Sequence, residues 1–279
     1  MSPPRAVRQP GPPAPERVAV IPCKGAPVRL KLAAGERLLD ALSKGFAAAG
    51  FESGVAEFGT LQLGPFSYVM PAPARTPEHA AYYSDIFTPP GVTQVEEGAL
   101  TFGVRDGQPF FHAHALWREA DGKLSGGHIL PETTRLAADA WIDGFGLDGA
   151  RFEGTQDPET NFKLFEPVAA PARGNGAARC LAMRVRPNAA FLPTLDALAA
   201  AHGFARYAAR GGVGSLIGAR FEDGFVVNQI ATEVFLRSRD GAPREIGLID
   251  ADGLRRSGAI AAADNPVLMT FELCLAESP

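Results

Sequence analysis

One order of features occurs twice within these 279 residues, and that recurrence limits the fold more than any single motif does. An alternating segment, VRLKL from Val28, is followed by AAGERLLDALSKGFAAAGF, which places Leu38, Leu39, Leu42, Phe46 and Ala49 on one helical face. The second half begins the same way, with CLAMRVRP from Cys180 and then FLPTLDALAAAHGF from Phe191. The two helical segments share a literal Leu-Asp-Ala-Leu, at 39–42 and 195–198, a separation of 156 residues. GTLQLG from Gly59 matches GSLIGA from Gly214, a separation of 155. ADGKLSGGHI ending at Ile129 resembles ADGLRRSGAI ending at Ile260, now 131 apart, so the second copy lacks a long insertion. A repeat of domain length implies duplication rather than a solenoid, whose units are shorter.

The punctuation of the chain agrees with two units. Residues 1–16 form a Pro-rich arm, expected to be flexible because it carries too little apolar surface to offset its ordering. VAAPARGNGAA at 168–178 loses all apolar periodicity and is expected to be the linker between domains at 17–167 and 179–279. Short strand-like runs separated by Asp106-Gly107 and Asp121-Gly122 predict a mainly antiparallel sheet with few helices. The expected class is α+β, two tandem modules, each a sheet packed with one principal helix.

Charge and cysteines narrow the function. The net charge is −4 and the pI about 5.8, so no global basic field exists to attract phosphate backbones, and nucleic acid is a disfavoured partner. Cys23, Cys180 and Cys274 are odd in number and far apart in sequence, which reads as reduced, buried thiols. Prolines interrupt the opening segment where a signal peptide needs an apolar run, and no later stretch is apolar enough to span a bilayer, so a cytoplasmic protein with no membrane partner is expected.

Chemistry concentrates in three histidines. His112 and His114 are two apart on a segment of strand composition, so both side chains leave one face. His128 follows the Asp121-Gly122 turn. With a three-residue loop it faces His114; with a strict two-residue turn Ala115 takes that place. Three neutral imidazoles suit a divalent metal, zinc foremost, with a position left for water; nickel, iron and copper accept imidazole as well. Gly126 and Gly127, just before His128, permit a bulge or a close approach of backbone. In the second copy, Pro243 and Glu245 stand opposite His112 and His114, and Ala259 opposite His128. The plain alternative is a set of polar residues on a half-buried sheet, hydrogen-bonded to carbonyls. His79 reads as a loop histidine able to overhang the site, and His202 as a partner of a helix C-terminus.

The run from Arg29 to Pro167 resembles the plants-and-prokaryotes-conserved (PPC) domain family, a domain of unknown function, in its prokaryotic type. RLKLAAGERLLDAL is similar to its opening strand, glycine and helix, GQPFFHAHALWREADGKLSGGHIL to its central signature, and DPETNFKLFEP to its tail. The second copy matches only in outline, without the histidines. The resemblance implies a strongly bent antiparallel sheet beside a helix, assembly as a homo-oligomer, a trimer foremost, and His112, His114 and His128 as metal ligands. It also places Arg29 and Arg151 where the family often has basic residues, as anchors for an anionic substrate. The plant members pair this domain with AT-hooks, and no such basic core is present here.

The expected function is that of a metal-binding protein, foremost a metal-dependent enzyme acting on a small, carboxylated metabolite, with Glu57 or Glu132 moving protons. The insertion at 71–91, with Tyr82 and Tyr83, is placed to roof a pocket. The alternative is a non-catalytic oligomeric ligand-binding or regulatory module, with DNA association a third.

Overall fold

Both helices stop for the same local reason. The first, α1 (Leu38–Ala48), ends at Gly50, whose φ of 86° only glycine adopts cheaply; Gly50 N–H donates to Ala47 O and Phe51 N–H to Phe46 O. The second, α2 (Phe191–Ala201), ends at His202 and Gly203, φ 72°, with Gly203 N–H to Ala200 O and Phe204 N–H to Ala199 O. His202 is thus the C-cap residue itself. The caps place the two helices 153 residues apart, so the shared Leu-Asp-Ala-Leu is three positions out of step. The buried faces agree with the caps: Leu38, Leu42 and Phe46 in one helix, Phe191, Leu195 and Ala199 in the other. A helix is positioned by the face it buries, and a four-residue identity in an alanine-rich chain does not outweigh that.

The computed structural model describes residues 5–237 and 243–278. The first half carries β1 (Val18–Leu32), β2 (Gly54–Phe58), β3 (Leu61–Leu63), β4 (Tyr68–Val69), β5 (Pro71–Pro73), β6 (Ala81–Tyr83), β7 (Thr93–Arg105), β8 (Gln108–Arg118), β9 (Leu124–Ile129), β10 (Ala140–Asp148), β11 (Ala150–Gln156) and β12 (Lys163–Ala169). The second carries β13 (Ala178–Val185), β14 (Tyr207–Leu216), β15 (Ala219–Arg220), β16 (Val226–Val227), β17 (Thr232–Leu236), β18 (Glu245–Asp250), β19 (Arg255–Ala259) and β20 (Val267–Glu277). The class is α+β with a small helical share and a mostly antiparallel sheet.

β1 and β13 pair antiparallel, from Val18 opposite Val185 to Gly25 opposite Ala178, and so join the halves into one sheet. Outward from this seam the order is β1-β10-β2-β7-β8-β9 on one side and β13-β20-β14-β17-β18-β19 on the other. The two halves therefore follow one strand order, mirrored about the seam. Cys23 lies opposite Cys180 there, with sulfurs 3.3 Å apart, and Cys274 shares their apolar cluster; all three are free thiols.

Each half has its own core, α1 against Leu30, Phe102 and Trp117, and α2 against Met183, Phe271 and Leu275. A further cluster mixes the halves: Ala99 and Leu116 of the first pack on Val213, Phe235 and Ile249 of the second. The sheet therefore folds back until β8 lies against β17.

Of the arm expected over 1–16, residues 1–4 lie outside the described residues and residues 5–16 make specific contacts with the rest of the chain. Gln9 is buried and its amide donates to Leu268 O, Val7 exchanges two hydrogen bonds with Asn188, and Gly11 N–H donates to Glu159 O. Hydrogen bonds from backbone and side chains, with Val7 packed on the cluster of Ile217, Leu268 and Met269, hold this segment. The segment 168–178 is likewise pinned, the Asp148 carboxylate accepting from the N–H groups of Arg173 and Gly176.

Candidate metal centre

β8 alternates two environments. Phe111, Ala113, Ala115 and Trp117 enter the first-half core, while His112, His114 and Leu116 point at the second half. The strand thus buries both faces, and its histidines lie where the halves meet. Two turns set the register. Asp106-Gly107, both at positive φ, closes β7 onto β8 as a two-residue hairpin, and the loop after Arg118 brings His128 directly opposite His114. Gly127, at φ 143°, carries no Cβ because one would lie 2.4 Å from Val69 O, where β4 pairs with β9.

One donor atom of each of His112, His114 and His128 lies within 4.8 Å of the others. The second half surrounds them. His112 Nδ1 is 2.6 Å from Glu272 Oε2, and His114 Nδ1–H donates to Val234 O at 3.0 Å. A carbonyl has no proton to offer, so the His114 Nδ1 proton is committed there, and a neutral ring leaves Nε2 as a bare lone pair. That Nε2 sits 2.9 Å from His112 Nε2 and 2.8 Å from Glu233 Oε2. A proton on His114 or a bound cation would satisfy both neighbours of this Nε2 at once. Burial pulls the His114 pKa down, but the Glu233 carboxylate, Val234 O and Glu272 together outweigh it and the net shift is upward.

The other groups stay neutral. Burial lowers His112 to about 3, with the neighbouring His114 adding to it, and burial with both neighbouring histidines holds His128 well below its ordinary value. Burial also pushes Glu272 up to about 8, against the pull of Arg184 and of the Thr270 hydroxyl, which donates to it. His128 Nδ1 is buried and has no hydrogen-bond partner among the described residues. A buried orphan nitrogen and a converging pair of Nε2 atoms fit a metal ion better than a hydrogen-bonded sheet surface does.

A cavity of about 280 Å³ adjoins the cluster, bounded by His112, His128, Glu272, Arg105, Tyr83 and Phe162. Its roof is the β5–β6 hairpin, where the Tyr83 ring lies 5.3 Å from His128, together with the loop after β11. Asp157 shapes that loop by accepting from the Thr160 hydroxyl, and the Asn161 amide donates to Glu78 O, tying loop to hairpin. His79 overhangs through Tyr82 and Phe162, at 4.8 and 4.6 Å between ring centres, and does not line this cavity.

The remaining sequence candidates are dispersed. Glu132 lies at the exposed edge of the same cavity. Glu57 accepts from Gly211 N–H and lines a different cavity, of about 410 Å³, with Glu97, Asp143 and Arg237 and no histidine. Arg29 lies over the exposed Trp141 ring at 5.3 Å, and Arg151 pairs with Glu153 at 2.7 Å, so neither faces the histidines. Glu233, Glu272 and Arg105 were not read from the sequence. The signal for Glu272 is a lone carboxylate inside the apolar run VLMTFELCLA; nothing local marks Glu233 or Arg105.

No protein-family model matches the sequence, and no curated protein matches it. Solved structures do. A plant- and prokaryote-conserved (PPC) protein of Pyrococcus horikoshii is 19% identical, with 54% of this chain and 97% of that one covered and a TM-score of 0.42. A metal-containing protein of Archaeoglobus fulgidus is 19% identical over 51% and 94%, TM-score 0.39, and a protein of Salmonella enterica 13% identical over 53% and 96%, TM-score 0.39. Each likeness takes in about half of this chain and nearly all of the other. Among the described residues, no helix is long and apolar enough to cross a membrane.

Proposed function

We propose that this chain is a tandem pair of PPC-like modules, 17–167 and 179–279, and that it is a metal-dependent enzyme for a small molecule. His112, His114 and His128 hold one divalent ion, zinc foremost, and Glu233 reaches the same point from the second module. The observation that carries this reading is His114 Nε2, a lone pair set between His112 Nε2 and Glu233 Oε2.

The ion supplies a Lewis acid beside the cavity when bound. The chain's own groups do the rest. Glu272 and Val234 O hold the first two rings by their Nδ1 atoms, and fixed rings keep their Nε2 atoms aimed at one point. Tyr83 and Phe162 close the roof and limit water. The second module, without counterparts of the three signature histidines, serves by contributing Glu233 and Glu272. A homotrimer is the expected assembly, checked by sedimentation equilibrium.

Metal content of protein purified without a histidine tag tests this reading. One zinc per chain, lost in a His112→Ala, His128→Ala double variant that still melts cooperatively, is the expected result. Protein that takes up no zinc, nickel, iron or copper after dialysis against each overturns it.

A further inference from the structure

Arg105 closes the end of β7, where a guanidinium is normally paired or free in water. It is neither. Half-buried, it lies over the Phe110 ring at 4.9 Å and makes no hydrogen bond or ion pair among the described residues. The acids beside it, on its own turn and on the paired strand β11, are already engaged: Asp106 holds Lys163 at 2.7 and 2.9 Å, and Glu153 holds Arg151. Gly154 leaves room for the side chain, since β7 and β11 run parallel here and a Cβ on Gly154 would lie 3.0 Å from Arg105 Cγ.

Arg105 and Gly154 both line the cavity that His112 and His128 bound. The walls between are aromatic, Phe110, Phe162, Phe165 and Tyr83. A stacked, half-desolvated guanidinium with unused donors is suited to a planar anion, which it grips by two parallel hydrogen bonds. Rings on the walls are suited to a flat apolar body. Glu132 at the rim disfavours a second negative group.

We propose that this cavity binds a small aromatic monocarboxylate, its carboxylate on Arg105 and its ring among the aromatic walls, with the far end toward the histidines. This names the substrate class for the centre proposed above and rests on that reading for its catalytic meaning, but binding itself needs only Arg105 and the walls.

Calorimetric titration with benzoate tests it, on zinc-loaded and on chelator-treated protein, with benzamide as the neutral isostere. Benzoate binds both forms of the native chain, Arg105→Gln weakens it at least about tenfold without lowering the melting temperature, and Arg105→Lys recovers part of the loss. Arg151→Gln leaves it unchanged. Failure of the native chain to bind benzoate at millimolar concentration, equal binding by Arg105→Gln, or equal binding of benzamide overturns the proposal. Benzoate held through Arg105 by a protein that takes no metal keeps this inference and removes the metal reading.

Discussion

Glu233→Gln separates a metal centre shared by both halves from a histidine cluster that the first half completes alone. The change keeps the shape of the side chain and removes its charge, 2.8 Å from His114 Nε2, where the two side chains are 9% and 2% exposed. Loss of a buried group that orients or charges a metal site lowers affinity about 10- to 100-fold, or about 1.4 to 2.8 kcal/mol. A second effect has a definite sign. Glu233 raises the His114 pKa against the pull of burial, and that proton must leave before a metal binds. In the native chain, zinc affinity therefore climbs with pH, one proton per metal, until the raised His114 value is passed. In the variant burial is opposed only by Val234 O and Glu272, so His114 loses its proton at lower pH and the climb ends sooner. The native advantage should be greatest at pH 9 and shrink at pH 6.5. Competition with a chromogenic chelator at three pH values measures it. Equal affinities throughout, or an advantage that grows on acidification, would refute the reasoning.

Three further outcomes follow from the buried groups. Metal-free protein should be most stable near pH 6.5: lowered His112 and His128 together lose stability as pH falls below 6.5, outweighing the loss from raised Glu272 as pH climbs from 4.5 to about 8, while raised His114 adds a loss only above 6.5, each by about 1.4 kcal/mol per pH unit. Urea melts across pH 4–9 check this, and greater stability at pH 9 than at 6.5 would contradict it. Arg184→Met removes a guanidinium only 1% exposed from Asp157 and Glu166 and leaves both to Arg186, so a loss of about 1.5–3 kcal/mol is expected in the same melts. Gly127→Ala forces an alanine to φ 143° against Val69 O; about 1–3 kcal/mol of stability should go, and zinc affinity with it as His128 shifts.

Local patterns were legible because their causes are local. The Asp106-Gly107 turn follows from two residues that tolerate positive φ. Strand alternation through His112 and His114 follows from the period of a pleat, and the choice between His114 and Ala115 as the partner of His128 was settled by a loop one residue longer than the tightest turn. The partners of the arm were not legible, because it bonds to Asn188, Leu268 and Glu159, residues some 150 to 260 positions away.

Composition, period and turn chemistry determined by themselves that this chain is rich in antiparallel strands with few helices, and that His112 and His114 share one face of a strand with His128 on the next. Only the tertiary structure decided what those histidines meet. The β1–β13 seam and the fold-back of the sheet bring Glu233 and Glu272 from 105 to 160 residues away. A hydrogen bond is governed by separation in space, and sequence distance carries no trace of it until the sheet has closed.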